Sequence, residues 1–193
     1  MTRRRRNNLG AIRDQSLLDA LETVPAVPFE AIVWRSVRTG QDPLACGRPG
    51  GRWDDGTLDV LYTSETRDGA VAQRRFHLYQ GQPFPPSKVR YELFELSVSL
   101  KAVMNFPSLD ALAEIGLATE GYGRLTYLRR QQEYPRSQEV AEACAFLGAD
   151  GLRVPSARDL RQSNLIVFCE QSTELEMAIV RSHGTVDFTR AGP

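Results

Sequence analysis

Hydrophobic positions recur along the chain with two periods, that of helices and that of strands. In "QSLLDALETV" three leucines fall at helical spacing and Pro25 follows, which predicts a short amphipathic helix that ends before the proline. The next run, "FEAIVWRSV" at residues 29–37, is rich in β-branched and aromatic residues and predicts the first strand. Arg35 lies inside this otherwise apolar strand.

The middle of the chain predicts a strand, a helix and a longer strand. "LDVLYTS" at residues 58–64 is short and apolar enough for a central strand, and Ser64 or Thr66 is suited to cap a helix over "TRDGAVAQRRFHLY". In "KVRYELFELSVSL" the residues Phe94, Leu96 and Val98 share one face of an alternating pattern, which predicts the next strand.

Two helices and two or three strands complete the pattern. "SLDALAEIGL" and "SQEVAEACAFLGA" predict helices that begin at Ser108 and Ser137, and the second should end at Gly148 or Gly151. "NLIVFCE" predicts one strand, and "LEMAIVRSHGTVDF" predicts one strand or a pair joined at residues 183–184. Because helices and strands do not alternate regularly, the pattern predicts an α+β fold with a mixed sheet.

The composition is typical of one globular domain, with 41% hydrophobic and 25% charged residues in a chain of 193. We expect a basic N-terminal tail and lead-in helix over residues 1–28 and a single domain over residues 29–193. The 24 basic and 24 acidic side chains cancel, so the net charge indicates neither a nucleic-acid nor a membrane partner. The local run "TRRRRNN" is expected to be a solvated terminus, with direct nucleic-acid binding as a weaker alternative.

The cysteines and histidines are too sparse to predict a metal site or a disulfide framework. Cys46, Cys144 and Cys169 are far apart and odd in number, so we expect reduced thiols in a cytoplasmic protein. His77 and His183 have no second ligand at the spacing of a metal site.

The segment "GRPGGRW", at residues 47–53, combines backbone freedom with forked cationic donors. Glycines let backbone N–H groups turn towards an anion and arginines bind phosphate bidentately, so the segment is suited to hold a phosphate or a pyrophosphate. The alternative is that the glycines make turns and the arginines are solvated. The chain contains neither a GxGxxG nor a GxxxxGK[ST] motif, which argues against Rossmann and P-loop nucleotide sites.

An ordered set of motifs resembles the RES-domain family, the toxins of bacterial RES-Xre toxin-antitoxin pairs. The set comprises "WR" on a strand, "GGRWDDG", "VLYTS", a helix with "GAVAQ", and "ADGLRVPSARDLRQSNLIVF". The resemblance implies an ADP-ribosyltransferase-like mixed β core with flanking helices, NAD⁺ as substrate and no metal. It also implies a cognate Xre-like antitoxin, through which alone the chain would meet nucleic acid, and an ADP-ribose acceptor that is water, phosphate or a protein.

The same resemblance implies roles for individual residues. The family's strand arginine, glycine-loop arginine, tyrosine and serine fall on Arg35, Arg52, Tyr62 and Ser156, which would bind the dinucleotide. We expect Gly51 and Asn164 to join them in binding it. Arg52 and Ser156 would also take part in catalysis. Asn164 and Arg158 are close to Ser156 in the sequence, so we expect them to help to hold its loop.

The chain departs from the family at its catalytic glutamate, where it has Gln73. Cleavage of the nicotinamide–ribose bond develops positive charge on the ribose, which a carboxylate opposes and a neutral amide cannot. A natural variant with altered turnover, a substitution that reduces toxicity, and a shifted role for Glu65, Glu92 or Glu95 are the explanations that the sequence leaves open. A binding module that has lost catalysis is the alternative function.

Overall fold

The computed structural model describes residues 13–79, 89–124, 129–170 and 176–187. The basic run near the N-terminus lies outside the described residues. The described helices and strands are, in chain order, α1 Gln15–Glu22, β1 Ala26–Arg38, β2 Val60–Ser64, α2 Arg67–Tyr79, β3 Tyr91–Asn105, α3 Leu109–Glu114, α4 Arg130–Phe146, β4 Gly151–Pro155, β5 Ser163–Phe168 and β6 Glu176–Thr185.

The six strands form one mixed sheet in the order β1-β2-β5-β4-β3-β6, with an additional pairing of β1 with β3. That pairing curls β1, β2, β5, β4 and β3 into a closed ring. The ring is weakest between β1 and β2, which are joined by a single residue pair, Trp34 with Ser64. Among the described strands only β3 and β4 run parallel, and the other pairs are antiparallel.

Alternation along the strands separates two hydrophobic cores. The inner core fills the ring with side chains such as Val33, Leu61, Leu96 and Val167. The outer core packs the opposite face of β2, β4 and β5 against α1, α3 and α4, through residues that include Leu21, Leu112, Val140, Leu152 and Ile166.

Two elements differ from the sequence pattern. Helix α4 begins at Arg130, seven residues before the predicted start at Ser137, and it runs through Pro135. Pro135 interrupts the helical signal because a proline removes a backbone donor, yet the helix continues across it. Strand β4 was not predicted. Of the two alternatives for β6, the single strand is the one found, and it continues through Gly184 to Thr185.

The predicted state of the cysteines is wrong for two of the three. Cys46 and Cys169 form a disulfide, and Cys144 is free and buried. The topology explains the pairing, because the segment at Gly47 bridges to Val60, whose other neighbour on β5 is Phe168. Residues 123 positions apart in the sequence are thereby adjacent.

Candidate functional site

The glycine loop, residues 47–56, is held closed by a carboxylate from within it. Asp54 is fully buried, and its oxygens accept hydrogen bonds from the backbone N–H groups of Gly50 (3.0 Å), Gly51 (2.8 Å) and Gly56 (3.0 Å). Tyr62 donates a further bond to Asp54 at 3.2 Å. Asp54 thus accepts bonds from three N–H groups of the loop, the type of donor that was predicted to bind phosphate.

Tyr62 supports this loop from strand β2. Its hydroxyl accepts a hydrogen bond from the Trp53 N–H at 2.9 Å. A Cβ on Gly51 would lie 2.7 Å from the same hydroxyl, so glycine is required there for the loop to approach the ring. Burial, and then the nearby charge of Asp54, raises the pKa of Tyr62 well above its usual value, so the phenol is neutral.

Arg52 points into the protein and has a buried carboxylate partner. Its Nη1 donates to Glu133 Oε1 at 2.5 Å, and the two side chains are only 8% and 9% exposed. Its guanidinium lies 4.4 Å from the ring centre of Tyr122 and 5.0 Å from that of Tyr134. The charge of Arg52 is therefore balanced within the protein.

Glu133 is the residue of this site that the sequence pattern missed. The same Oε1 that faces Arg52 also accepts the backbone N–H of Gly123 at 2.7 Å. Glu133 lies in the first turn of α4, ahead of the helix start predicted at Ser137. Gln138, five residues further along α4, donates to the backbone carbonyls of Gly51 and Asp54. Helix α4 thus braces the glycine loop at two places.

Gln73 and Ser156 come together although they are 83 residues apart in the chain. The Gln73 amide donates to Ser156 Oγ in a long contact of 3.4 Å. Ser156 is fully buried, and its hydroxyl also accepts the backbone N–H of Arg158 at 3.3 Å. The structure thus brings together the two positions at which the resemblance predicts the family's glutamate and serine.

The Ser156 loop, residues 156–162 between β4 and β5, is fixed from two sides. Its Ser156 N–H donates to the Gln162 carbonyl, and Tyr122 donates through its hydroxyl to the carbonyl of Pro155, immediately before the loop. Gly123 packs so closely on it that an added Cβ would lie 2.2 Å from the Ala157 carbonyl oxygen. Since Gly123 also binds Glu133, this packing connects the Ser156 loop to Arg52 and the glycine loop.

Asn164, at the start of β5, accepts a hydrogen bond from the Ser64 hydroxyl at 3.0 Å. The register pairs Ser64 with Asn164 and Tyr62 with Ile166, so these side chains share the outer face of the sheet. Ser64 lies against α2, because an added Cβ on Gly69 would lie 3.2 Å from its Cβ. Asn164 is therefore connected, through Ser64, to the first turn of α2 at Gly69.

Arg35 points towards the inner core, on the other face of the sheet from Tyr62. It alternates with Val33 and Val37 of the inner core and donates to the Pro43 carbonyl at 2.8 Å. Burial, and secondly the like charge of Arg74, lowers its pKa to about 10. The structure does not bring Arg35 to the face where Gln73 meets Ser156.

The carboxylates considered as substitutes for the family's glutamate also lie elsewhere. Glu65 forms a two-bond ion pair with Arg153 at the mouth of the ring, where it lines an open cavity of about 460 Å³ with apolar walls from β1 and β3. Glu95 binds His183 at 3.0 Å, and Glu92 pairs with Thr185 of β6. None of these contacts is with Gln73 or Ser156, so the idea of a shifted role for these three residues finds no support among the described contacts.

Arg158 is a further cation beside Gln73 and Ser156. Its guanidinium carbon lies 3.8 Å from the ring centre of Phe76, which is three residues after Gln73 on α2. Burial lowers the pKa of Arg158, and the charge of Arg52 lowers it further.

Within the described ranges no group of three or more potential metal ligands occurs, and no helix there is long and apolar enough to cross a membrane.

Comparisons with known proteins agree with this architecture. No curated protein matches the chain. Among solved structures, it is similar to a chain described as "Crystal structure of the M.tuberculosis MbcT-MbcA toxin-antitoxin complex", with 18% identity over 89% of this chain and 92% of that chain and a TM-score of 0.70. The predicted α+β fold with a mixed sheet is thereby confirmed. The model of the RES domain matches residues 32–189, and the chain belongs to the RES-domain family.

Proposed function

We propose that the chain is the toxin of a toxin-antitoxin pair and that it cleaves NAD⁺ at the bond between nicotinamide and ribose. The observation that carries the proposal is the contact between Gln73 and Ser156 on the outer face of the sheet. It joins two of the residue positions that the family resemblance marks as catalytic. Membership of the RES-domain family supports the same substrate class.

Each group of this site has a defined chemical capacity. The Gln73 amide can hydrogen-bond a ribose hydroxyl, and Ser156 Oγ offers a further donor and acceptor beside it. Neither group carries the negative charge that would oppose the charge developing on the ribose as nicotinamide leaves. We therefore expect slow cleavage, with the ADP-ribose passing to water, phosphate or a protein side chain.

The test is nicotinamide release from NAD⁺ by the purified chain, with and without phosphate and a cell extract as acceptor. Gln73→Glu restores a carboxylate 3.4 Å from Ser156 and is expected to raise the rate about 10²- to 10³-fold. Gln41→Glu makes the same chemical change at an exposed turn and should leave the rate unchanged. Absence of release from both the wild type and Gln73→Glu would overturn the proposal.

The same assay tests whether an antitoxin inhibits the chain. One of the structures similar to this chain is described as a toxin-antitoxin complex. We propose a cognate Xre-like antitoxin that covers the exposed start of the glycine loop at residues 48–50 and blocks release. An antitoxin that binds without reducing release would contradict this part of the proposal. The cytoplasmic location expected from the sequence stays a prediction.

A non-catalytic binding module of the same fold is the second candidate, and Gln73 is the observation that favours it. Such a module would bind NAD⁺ or a protein and release no nicotinamide. It differs from a slow enzyme in its response to Gln73→Glu, because a carboxylate alone would restore turnover only if the rest of the site is complete.

A further inference from the structure

The arginines that the sequence offers for binding phosphate are largely engaged within the protein. Arg52 is buried against Glu133. Arg48 forms ion pairs with Asp59 and Glu170. The N–H groups of Gly50, Gly51 and Gly56 are directed at Asp54. An anionic ligand on the outer face of the sheet, where Gln73 meets Ser156, therefore has to be held by another group.

Arg158 is placed for that task. It follows the buried Ser156 by two residues and stacks on Phe76, which lies three residues after Gln73 and so on the same side of α2. Stacking uses the flat face of a guanidinium and leaves its N–H edge for an acceptor. The aromatic contact thus holds a forked donor beside the two residues that meet at the site.

The charge of Arg158 is not balanced by an adjacent carboxylate. Within the described ranges no ion pair involves Arg158, whereas Arg48, Arg52, Arg153 and Arg161 each have a carboxylate partner. Glu133 is within electrostatic range, but its Oε1 binds Arg52 and Gly123. Arg158 is half-buried, and the positive charge of Arg52 acts on it. An anion bound at Arg158 would relieve that repulsion.

We propose that Arg158, rather than Arg52, binds the pyrophosphate of the ligand and makes the site selective for ADP-ribosyl compounds. The inference rests on the proposed function only in taking an ADP-ribosyl compound as the ligand. Arg52 then has a different task, which is to hold the glycine loop and α4 together through Glu133. The two roles separate ligand binding from the architecture of the site.

The experiment measures the affinities for ADP-ribose, ADP and adenosine by calorimetry or NMR titration. ADP differs from adenosine only in its pyrophosphate, whereas ADP-ribose also carries a second ribose. Arg158→Gln is expected to weaken ADP-ribose and ADP about 10- to 100-fold, the value of a charge-assisted hydrogen bond or pair of bonds, and to leave adenosine unchanged. Arg158→Lys keeps the charge without the fork and should give an intermediate loss. Arg161→Gln is the matched control, because Arg161 is exposed and paired with Asp159.

Unchanged ADP-ribose affinity in Arg158→Gln would overturn the inference, as would an equal loss for adenosine or the absence of ADP-ribose binding by the wild type. The outcomes are separate from those of the proposed function. Binding that depends on Arg158 without any nicotinamide release would refute only the proposed reaction. Release with an unchanged KM for NAD⁺ in Arg158→Gln would refute only the role of Arg158.

Discussion

Arg52 in the glycine loop and Arg158 in the Ser156 loop both stack on aromatic rings, but their charges are handled differently. Arg52 is 7% exposed and has a carboxylate partner in Glu133. Arg158 is half-buried beside Gln73 and Ser156 and has no ion pair within the described ranges. The glycine loop, which has the composition of a phosphate-binding loop, is thus braced internally, and the Ser156 loop carries the more available cation.

The difference shows that a buried ion pair determines whether an arginine links parts of the structure or is available to bind a ligand. A buried guanidinium needs a partner because desolvation of an unpaired charge is costly. Once Glu133 supplies that partner, Arg52 links α4 to the glycine loop. Composition cannot distinguish these cases, because the partner of Arg52 is 81 residues away in the sequence.

The largest expected effect tests the brace on the glycine loop. Glu133→Ala would leave Arg52 buried without a partner and should lower the free energy of unfolding by about 3–5 kcal/mol. Glu139→Ala, on the same helix, removes an exposed carboxylate paired with Arg136 and should cost less than about 1 kcal/mol. Urea denaturation measures both. Equal losses in the two variants would show that the buried pair is not a brace.

The disulfide anchors the beginning of the same loop to the end of β5. Replacing both Cys46 and Cys169 by serine is expected to cost about 2–4 kcal/mol, because the cross-link closes a long loop in the unfolded chain. Denaturation with and without reductant measures this, and the double variant is its own control because reductant should no longer affect it. Three reactive thiols in the unfolded, unreduced wild type would contradict the cross-link.

A smaller loss of stability is expected where Gly123 packs against the Ser156 loop. Gly123 has a φ of +72°, and its missing Cβ leaves room for the Ala157 carbonyl, so Gly123→Ala should destabilise the protein by about 1–3 kcal/mol. It should also weaken ADP-ribose binding, because Ser156 and Arg158 flank Ala157. A Cβ added at Gly121 would have no atom within 4 Å, so Gly121→Ala is the control. Identical stability of the two alanine variants would refute this packing argument.

Local signals predicted much of the fold. Leucine spacing predicted α1, and the β-branched runs predicted β1, β2 and β5 within a few residues. The capping role of Thr66 was also among the predictions, and its hydroxyl accepts the N–H of Gly69. The prediction that α4 begins at Ser137 was wrong because Pro135 has the pattern of a helix boundary. Since Glu133 lies before that predicted start, the sequence analysis missed it as well.

The sequence by itself determined the family and the fold class, because these depend on ordered motifs and on periodicity within short segments. The catalytic role of the position that Gln73 occupies stays a prediction. The tertiary structure alone decided which charges are paired. Strand pairing brought Cys46 to Cys169, alternation put Arg35 and Glu65 on the opposite face from Tyr62, and α4 brought Glu133 to Arg52. The physical reason is that charge pairing and burial act between atoms close in space, whatever their separation along the chain.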